Sequence, residues 1–165
     1  SNVIRSSPTR FLGSISAVLI ITIIWLWPVI RTFMKVGLPE GPAMRQYQGT
    51  SQDNLKAIRT ALNLYHDNEE RFPEGNGWMD AIEKQLKTND LTPEEAAKKL
   101  RNPGKPTEFG YALNEALAGK YKGDVAEGKT VLVFESTANK RNAVGNPKMA
   151  KGQGITLDGN IVKLP

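Results

Sequence analysis

The sequence predicts an α+β head carried behind a single transmembrane helix, with two or three helices followed by a small antiparallel sheet. Three observations predict it. Phe11 to Ile30, FLGSISAVLIITIIWLWPVI, is twenty residues without a charge, closed by Arg10 and Arg31. Leu55, Ile58, Leu62 and Tyr65 then recur at helical spacing. From Phe109 onward the apolar period shortens to two, and Asp158-Gly159 sits between alternating residues as a hairpin turn does. Helices first and strands after is the order of an α+β domain, not of alternating βαβ units.

At about 1.5 Å per helical residue, the uncharged stretch covers roughly 30 Å, the hydrocarbon thickness of a bilayer. Its β-branched run, Val18 to Ile24, is awkward for a helix in water, but lipid enforces internal backbone bonding. Phe11, Ile15, Leu19, Ile23, Trp25 and Trp27 form the expected anchor, with the two indoles near one end, where the headgroups favour them. Gly13, Ser14 and Ala17 are small enough for close contact with neighbouring helices. A cleaved signal fits less well. It has an apolar region of about 7–15 residues and then a small-residue cleavage site, whereas RTFMKVG follows Ile30.

The net charge of +5 belongs to the membrane flanks: Arg5, Arg10, Arg31 and Lys35 precede any acid. From Glu40 onward there are 18 basic residues against 17 acidic, so nucleic-acid binding by the head has no electrostatic support. The basic flanks suit anionic lipid, but two on each side of the span leave its orientation open. With no cysteine, disulfides, thiolate metal sites and cysteine nucleophiles are excluded.

The organisation follows. Residues 1–10 are a polar tail and 11–34 the transmembrane helix. Residues 35–50 are a connector, because Gly37, Pro39, Gly41, Pro42 and Gly49 stop a helix from running on. Residues 51–165 are the head. Ser51 or Asp53 caps its first helix, which is expected to end before Asp67-Asn68 with an apolar stripe facing the core. Phe72 is the buried anchor of the polar turn DNEERFPEGNG, and Trp78-Met79 open a second helix through Ile82 and Leu86. Thr92-Pro93-Glu94-Glu95 is a capped start with proline at the first helical position, and Asn102-Pro103-Gly104 stops what it begins. Phe109, Tyr111 and Leu113 read as one strand. Thr130 to Phe134 is the best central strand, and Ser136 to Gly152 reads as a long surface loop. The terminal hairpin, Ile155–Leu157 and Asn160–Val162, is expected to turn on two residues with positive φ.

No catalytic pattern emerges. His66 is the only histidine and reads as a surface residue at a helix end. Asp67, Glu69 and Glu70 lack the spacing of a calcium loop and adjoin Arg71, and Glu94-Glu95 belong to a helix start. Gly152 and Gly154 open no phosphate loop, Lys148 and Lys151 are expected in solvent, and neither GxSxG nor HExxH occurs. The expectation is a non-enzymatic chain without cofactor or metal.

NLKAIRTALNLYHDNEERFP, the following tryptophan, FGYALNEALAGK, VLVFES and the terminal ITLDGNIVKL together resemble the pilin-like proteins of the type II secretion and type IV pilin superfamily. The likeness spans Asn54 to Leu164. It implies an antiparallel sheet on a helical spine and a head outside the bacterial cytoplasmic (inner) membrane, in the periplasm, with the amino terminus cytoplasmic. The processing signals depart from the family. Arg10 stands where a prepilin has glycine, Ile15 where the mature span has its glutamate, and the connector interrupts the spine. The expected function is therefore a single-pass accessory subunit of a larger membrane complex, for example photosynthetic or respiratory. Its partners are lipid, other integral-membrane subunits and an extracytoplasmic protein. The alternative is a pseudopilin of a secretion or pilus machine.

Overall fold

Thr50 starts the first helix of the head. The computed structural model describes residues 45–125 and 128–165, which form one compact unit. The helix α1 runs Ser51–Glu69. Thr50 Oγ1 accepts from the Asp53 N–H at 3.2 Å, and the Asp53 carboxylate accepts from the Thr50 N–H at 2.9 Å. This reciprocal box satisfies two otherwise orphaned donors. The cap thus lies one residue ahead of Ser51, and Asp53 serves inside the first turn. At the other end α1 passes the expected stop at Asp67-Asn68 and closes on Glu70, left-handed at φ 59°.

The stripe Leu55, Ile58 and Leu62 is fully buried, joined by Phe72 from the following turn and by Trp78, Met79, Ile82 and Leu86 of α2 (Trp78–Leu86). Tyr65 is only partly buried against this core. Thr92 Oγ1 accepts from the Glu95 N–H at 3.2 Å, starting α3 (Pro93–Ala97), which tightens into a 3₁₀ turn at Lys98–Leu100. A short ribbon follows, β1 (Arg101–Asn102) antiparallel to β2 (Lys105–Phe109).

The single strand expected over Phe109 to Leu113 is split at Gly110. Phe109 ends the ribbon, whereas β3 (Tyr111–Asn114) enters the main sheet. After β3, a short helix α4 (Lys122–Val125) precedes β4 (Val131–Glu135), β5 (Ala143–Gly145), β6 (Gly152–Thr156) and β7 (Ile161–Leu164). The sheet order is β5-β3-β4-β6-β7, antiparallel except that β5 runs parallel to β3. The apolar run around Leu132 is the central strand, as expected. Its register slips between Val131 and Val133 against β6. That bulge puts Leu132 and Val133 together in the helix-side core while Val131 and Phe134 belong to the opposite face.

Two expectations are corrected here. Ser136 to Gly152 is not loop throughout: it contains β5, whose Ala143 is buried, and a 3₁₀ turn at Pro147–Met149. Its polar composition hides a strand with one buried side chain. The terminal hairpin turns on three residues rather than two. The Gly159 N–H donates to Thr156 O at 3.0 Å, and only Gly159 has positive φ, +98°. Asp158 instead accepts from the Thr156 hydroxyl and, at 2.9 Å, from Asn160 Nδ2, which holds it in the turn. Among the described residues no helix is long and apolar enough to cross a membrane. The expected span at residues 11–34 lies outside them.

Candidate functional site

Three regions carry polar or exposed apolar groups that the core does not require. The first is where the connector meets the head. Residues 45–50, assigned from sequence to the connector, lie on the folded unit as a strap. The Arg45 N–H donates to Asp90 O at 2.9 Å, and its guanidinium pairs with the Asp90 carboxylate at 3.0 Å. The Tyr47 N–H donates to Glu95 Oε2 at 2.7 Å, and the Tyr47 hydroxyl to Asn54 Oδ1 at 2.6 Å. Asn54 Nδ2 passes on to Arg101 O. Buried Lys99 donates to Leu86 O at 2.7 Å and lies 5.4 Å from the Tyr47 ring centre. Burial, with help from the Asp53 charge, pushes the Tyr47 hydroxyl up to about 12, and burial pulls the Lys99 ammonium below its usual value. The Lys98 ammonium and then the Tyr47 N–H hold Glu95 below the ordinary carboxylate range.

Beside the strap, Ser51 Oγ donates to Glu135 Oε1 and lies 3.2 Å from the Tyr111 hydroxyl. A serine beside a carboxylate invites a catalytic reading. Glu135 Oε2, however, already accepts from the Gln153 N–H at 2.7 Å. The histidine such chemistry would call on is bonded elsewhere. These groups join α1 to β3, β4 and β6.

The second region is that histidine. His66 is 7% exposed, not the surface residue expected from its place in the sequence. Its Nε2 accepts from the Lys122 N–H at 3.0 Å, so this nitrogen carries no proton and the ring is committed to holding α4. It sits between Phe72 and Tyr121, with centroids at 4.9 and 5.3 Å. Asp67 lies 3.7 Å from Nδ1. Among the described residues no group of acidic or histidine side chains converges as a metal ion would need.

The third region is the sheet face turned away from α1. Ala112, Phe134, Ala143 and Leu164 form a small cluster there, with Val131, Ala150 and Val162 against it. Gly154 makes this layer close: a Cβ at that position would stand 3.0 Å from Val131 Cγ1 and 3.3 Å from Phe134 Cβ. Among the described residues, Ala150 of the crossing from β5 to β6 packs over this face. A groove of about 440 Å³ on one side is lined by Ala112, Phe134, Val144 and Lys151 among others. A second of about 510 Å³ is lined by Val131, Leu164, Lys129 and Lys148. Met149 of the crossing is 86% exposed, whereas the half-exposed Val144 side chain stands on the helix side of the sheet beside Gly75.

Sequence reading named none of these residues as a site. Two signals were present: Met149 stands in a polar run, and residues 128–165 hold six basic residues against two acidic. The residues it did name lie outside the described ones: Phe11, Ile15, Leu19, Ile23, Trp25 and Trp27 of the anchor, Gly13, Ser14 and Ala17, and the flanking Arg5, Arg10, Arg31 and Lys35. Lys148 and Lys151 are exposed, as expected. No family model matches the chain, and neither a curated protein nor a solved structure matches it.

Proposed function

We propose that this chain is a non-enzymatic, single-pass accessory subunit of a larger membrane assembly, whose head docks on an extracytoplasmic protein. The observation that carries the reading is the sheet face away from α1, apolar at its floor and bordered by the exposed Met149. Exposed apolar surface bordered by polar residues marks interaction sites on small domains. Three further facts support it. The uncharged stretch Phe11 to Ile30 supplies an anchor. The strap ties the chain just beyond the connector to the folded head. The single histidine is spent on the Lys122 N–H rather than on chemistry.

The test is extraction of the whole chain in mild detergent followed by sizing. The reading expects co-elution with other integral-membrane subunits in fixed proportion; a lone monomer would overturn it. A pseudopilin remains the second reading, supported by the helix-then-sheet order and by the Asp158-Gly159 hairpin clamped to α1 through Arg59, whose Nε donates to Leu157 O at 3.0 Å. Mass spectrometry of the mature amino terminus separates the two, because prepilin processing leaves a methylated Phe11.

A further inference from the structure

His66 is the one histidine of the chain, and it lies buried near the end of α1. Its Nε2 accepts from the Lys122 N–H at 3.0 Å, which leaves the ring proton on Nδ1, the atom 3.7 Å from the Asp67 carboxylate. The ring lies between the fully buried Phe72 and Tyr121, at centroid distances of 4.9 and 5.3 Å. What it holds is a surface segment. Residues 121–124 are exposed, and α4 (Lys122–Val125) begins at the N–H that the ring receives. The chain just before it is fixed by other means. The Phe72 N–H donates to Lys120 O at 2.9 Å, and the Gly119 N–H to Pro73 O at 3.1 Å.

A second proton on this ring must go to Nε2, because Nδ1 carries the first. There it meets the Lys122 N–H, another donor, so charging the ring breaks the bond that holds α4. The ring is confined by buried Phe72, whereas the exposed segment is free to move. The new charge has a partner in Asp67, whose carboxylate is largely in solvent. The segments packed around the ring also carry Glu69, Glu70 and Arg71, which follow it in the chain, and Lys120, Lys122, Asp124 and the Tyr121 phenol across from it. Among the described residues, Asp67 alone stands in ion-pair reach of the ring.

We propose that His66 is a proton-operated latch: neutral, it holds residues 121–125 against α1 through the Lys122 N–H, and charged, it is left to Asp67 and lets that segment turn away beyond Lys120. The sign follows from the proton count. The closed form excludes the second proton and the open form accepts it. Closure is therefore complete above the range in which an imidazole charges, about pH 5–8, and is lost as pH falls through it. This response to acid is one that docking of the head neither requires nor supplies.

The experiment follows the full chain in phosphatidylcholine nanodiscs by NMR from about pH 8 to about pH 5. The nitrogen shifts of the His66 ring report its protons. The exchange rate of the Lys122 amide, taken relative to the intrinsic rate at each pH, reports the segment. At the upper end Nε2 should be unprotonated and the Lys122 N–H protected. As the ring charges, that protection should fall roughly ten-fold, with the Leu117 and Val133 amides unchanged. His66→Gln, which offers an acceptor oxygen but takes up no proton, should keep Lys122 protected across the whole range. Asp67→Asn should move the opening lower by about half a pH unit.

A protonated Nε2 at the upper end would overturn the latch. So would Lys122 protection that stays flat while the ring charges, or an acid response that survives in His66→Gln. A loss of protection shared by Val133 would do the same, since that is unfolding of the head. An unchanged midpoint in Asp67→Asn would overturn the exchange of partners. Should His66→Gln not fold, the unaltered chain decides, because opening at Lys122 must share the midpoint at which the ring charges.

Discussion

The two faces of the five-stranded sheet are finished to different degrees. Toward α1 and α2, Leu113, Val133 and Ile155 meet Leu55, Ile58, Leu62 and Trp78, with essentially nothing left in solvent. The border of that layer is sealed by side chains that satisfy backbone groups. His66 accepts from Lys122, Arg59 donates to Leu157 O, and Trp78 Nε1 donates to Ala143 O at 2.8 Å. Away from the helices, four buried residues form a small cluster, and its border carries Lys129, Lys148 and Lys151 together with Glu115 and Glu135. A small domain needs one well-filled core to fold. The sealed face supplies it, which leaves the open face free to carry a different task.

The contrast breaks first where it is largest. Leu62→Ala removes a fully buried side chain from the crowded layer and should cost about 3–5 kcal/mol of unfolding free energy, enough to melt much of the population in a denaturant titration. Phe134→Ala, on the open face, should cost about 3 kcal/mol, the lower end of the range for such truncations, because neighbours in so small a cluster can relax into the gap. Equal losses at the two positions would mean the faces are equally packed.

The borders come next. His66→Ala leaves the Lys122 N–H without its acceptor and should cost about 1–3 kcal/mol, with faster amide exchange confined to residues 121–125. His66→Gln, which can offer an acceptor oxygen, should recover part of it. At the strap, Tyr47→Phe removes the hydroxyl that donates to Asn54 and should cost about 1 kcal/mol. Its pH signature has a definite sign. Burial raises the folded value to about 12, from an ordinary value of about 10, so the protonated hydroxyl is favoured in the fold. The stabilisation is therefore complete below about pH 10 and is lost as pH climbs toward about 12. A phenolate difference titration of the unaltered chain against Tyr47→Phe should show the missing tyrosine ionising in that upper window.

How much of this was legible depended on whether a residue's environment was local. The stripe Leu55, Ile58, Leu62 and the cap at Thr92 announce themselves within one or two turns, and both were read correctly. Phe72 was identifiable as buried because a large aromatic in polar surroundings has few other places to go. What failed was decided across the chain. His66 looked exposed because its acceptor role depends on Lys122, 56 residues away. β5 was invisible because its partners are β3 and the Trp78 indole, while its own three residues, Ala143–Gly145, are too few to show a period within a polar run. The strap was hidden because proline and glycine report only that a helix stops, not that Tyr47 returns to Glu95 and Asn54. Asp158-Gly159 marked the hairpin, but the turn closes on Thr156, whose side chain bonds Asp158 and the Asn160 backbone.

The smallest expected effect is the one on which the contrast finally rests. Met149→Ser removes an exposed apolar side chain from the crossing, and a side chain already in water contributes little to folding. It should shift stability by less than about 0.5 kcal/mol in denaturant and should not alter the thermal midpoint by more than about 2–3 °C. If the substitution destabilises the head by more than about 1 kcal/mol, the residue is part of the core after all and the face is closed in solution. If it is silent for folding yet weakens association with a partner, the side chain is retained for contact rather than for stability. That separation cannot arise at Leu62 or Trp78, where folding and surface shape are lost together, so the exposed position is the sharper test of why the sheet has one unfinished side.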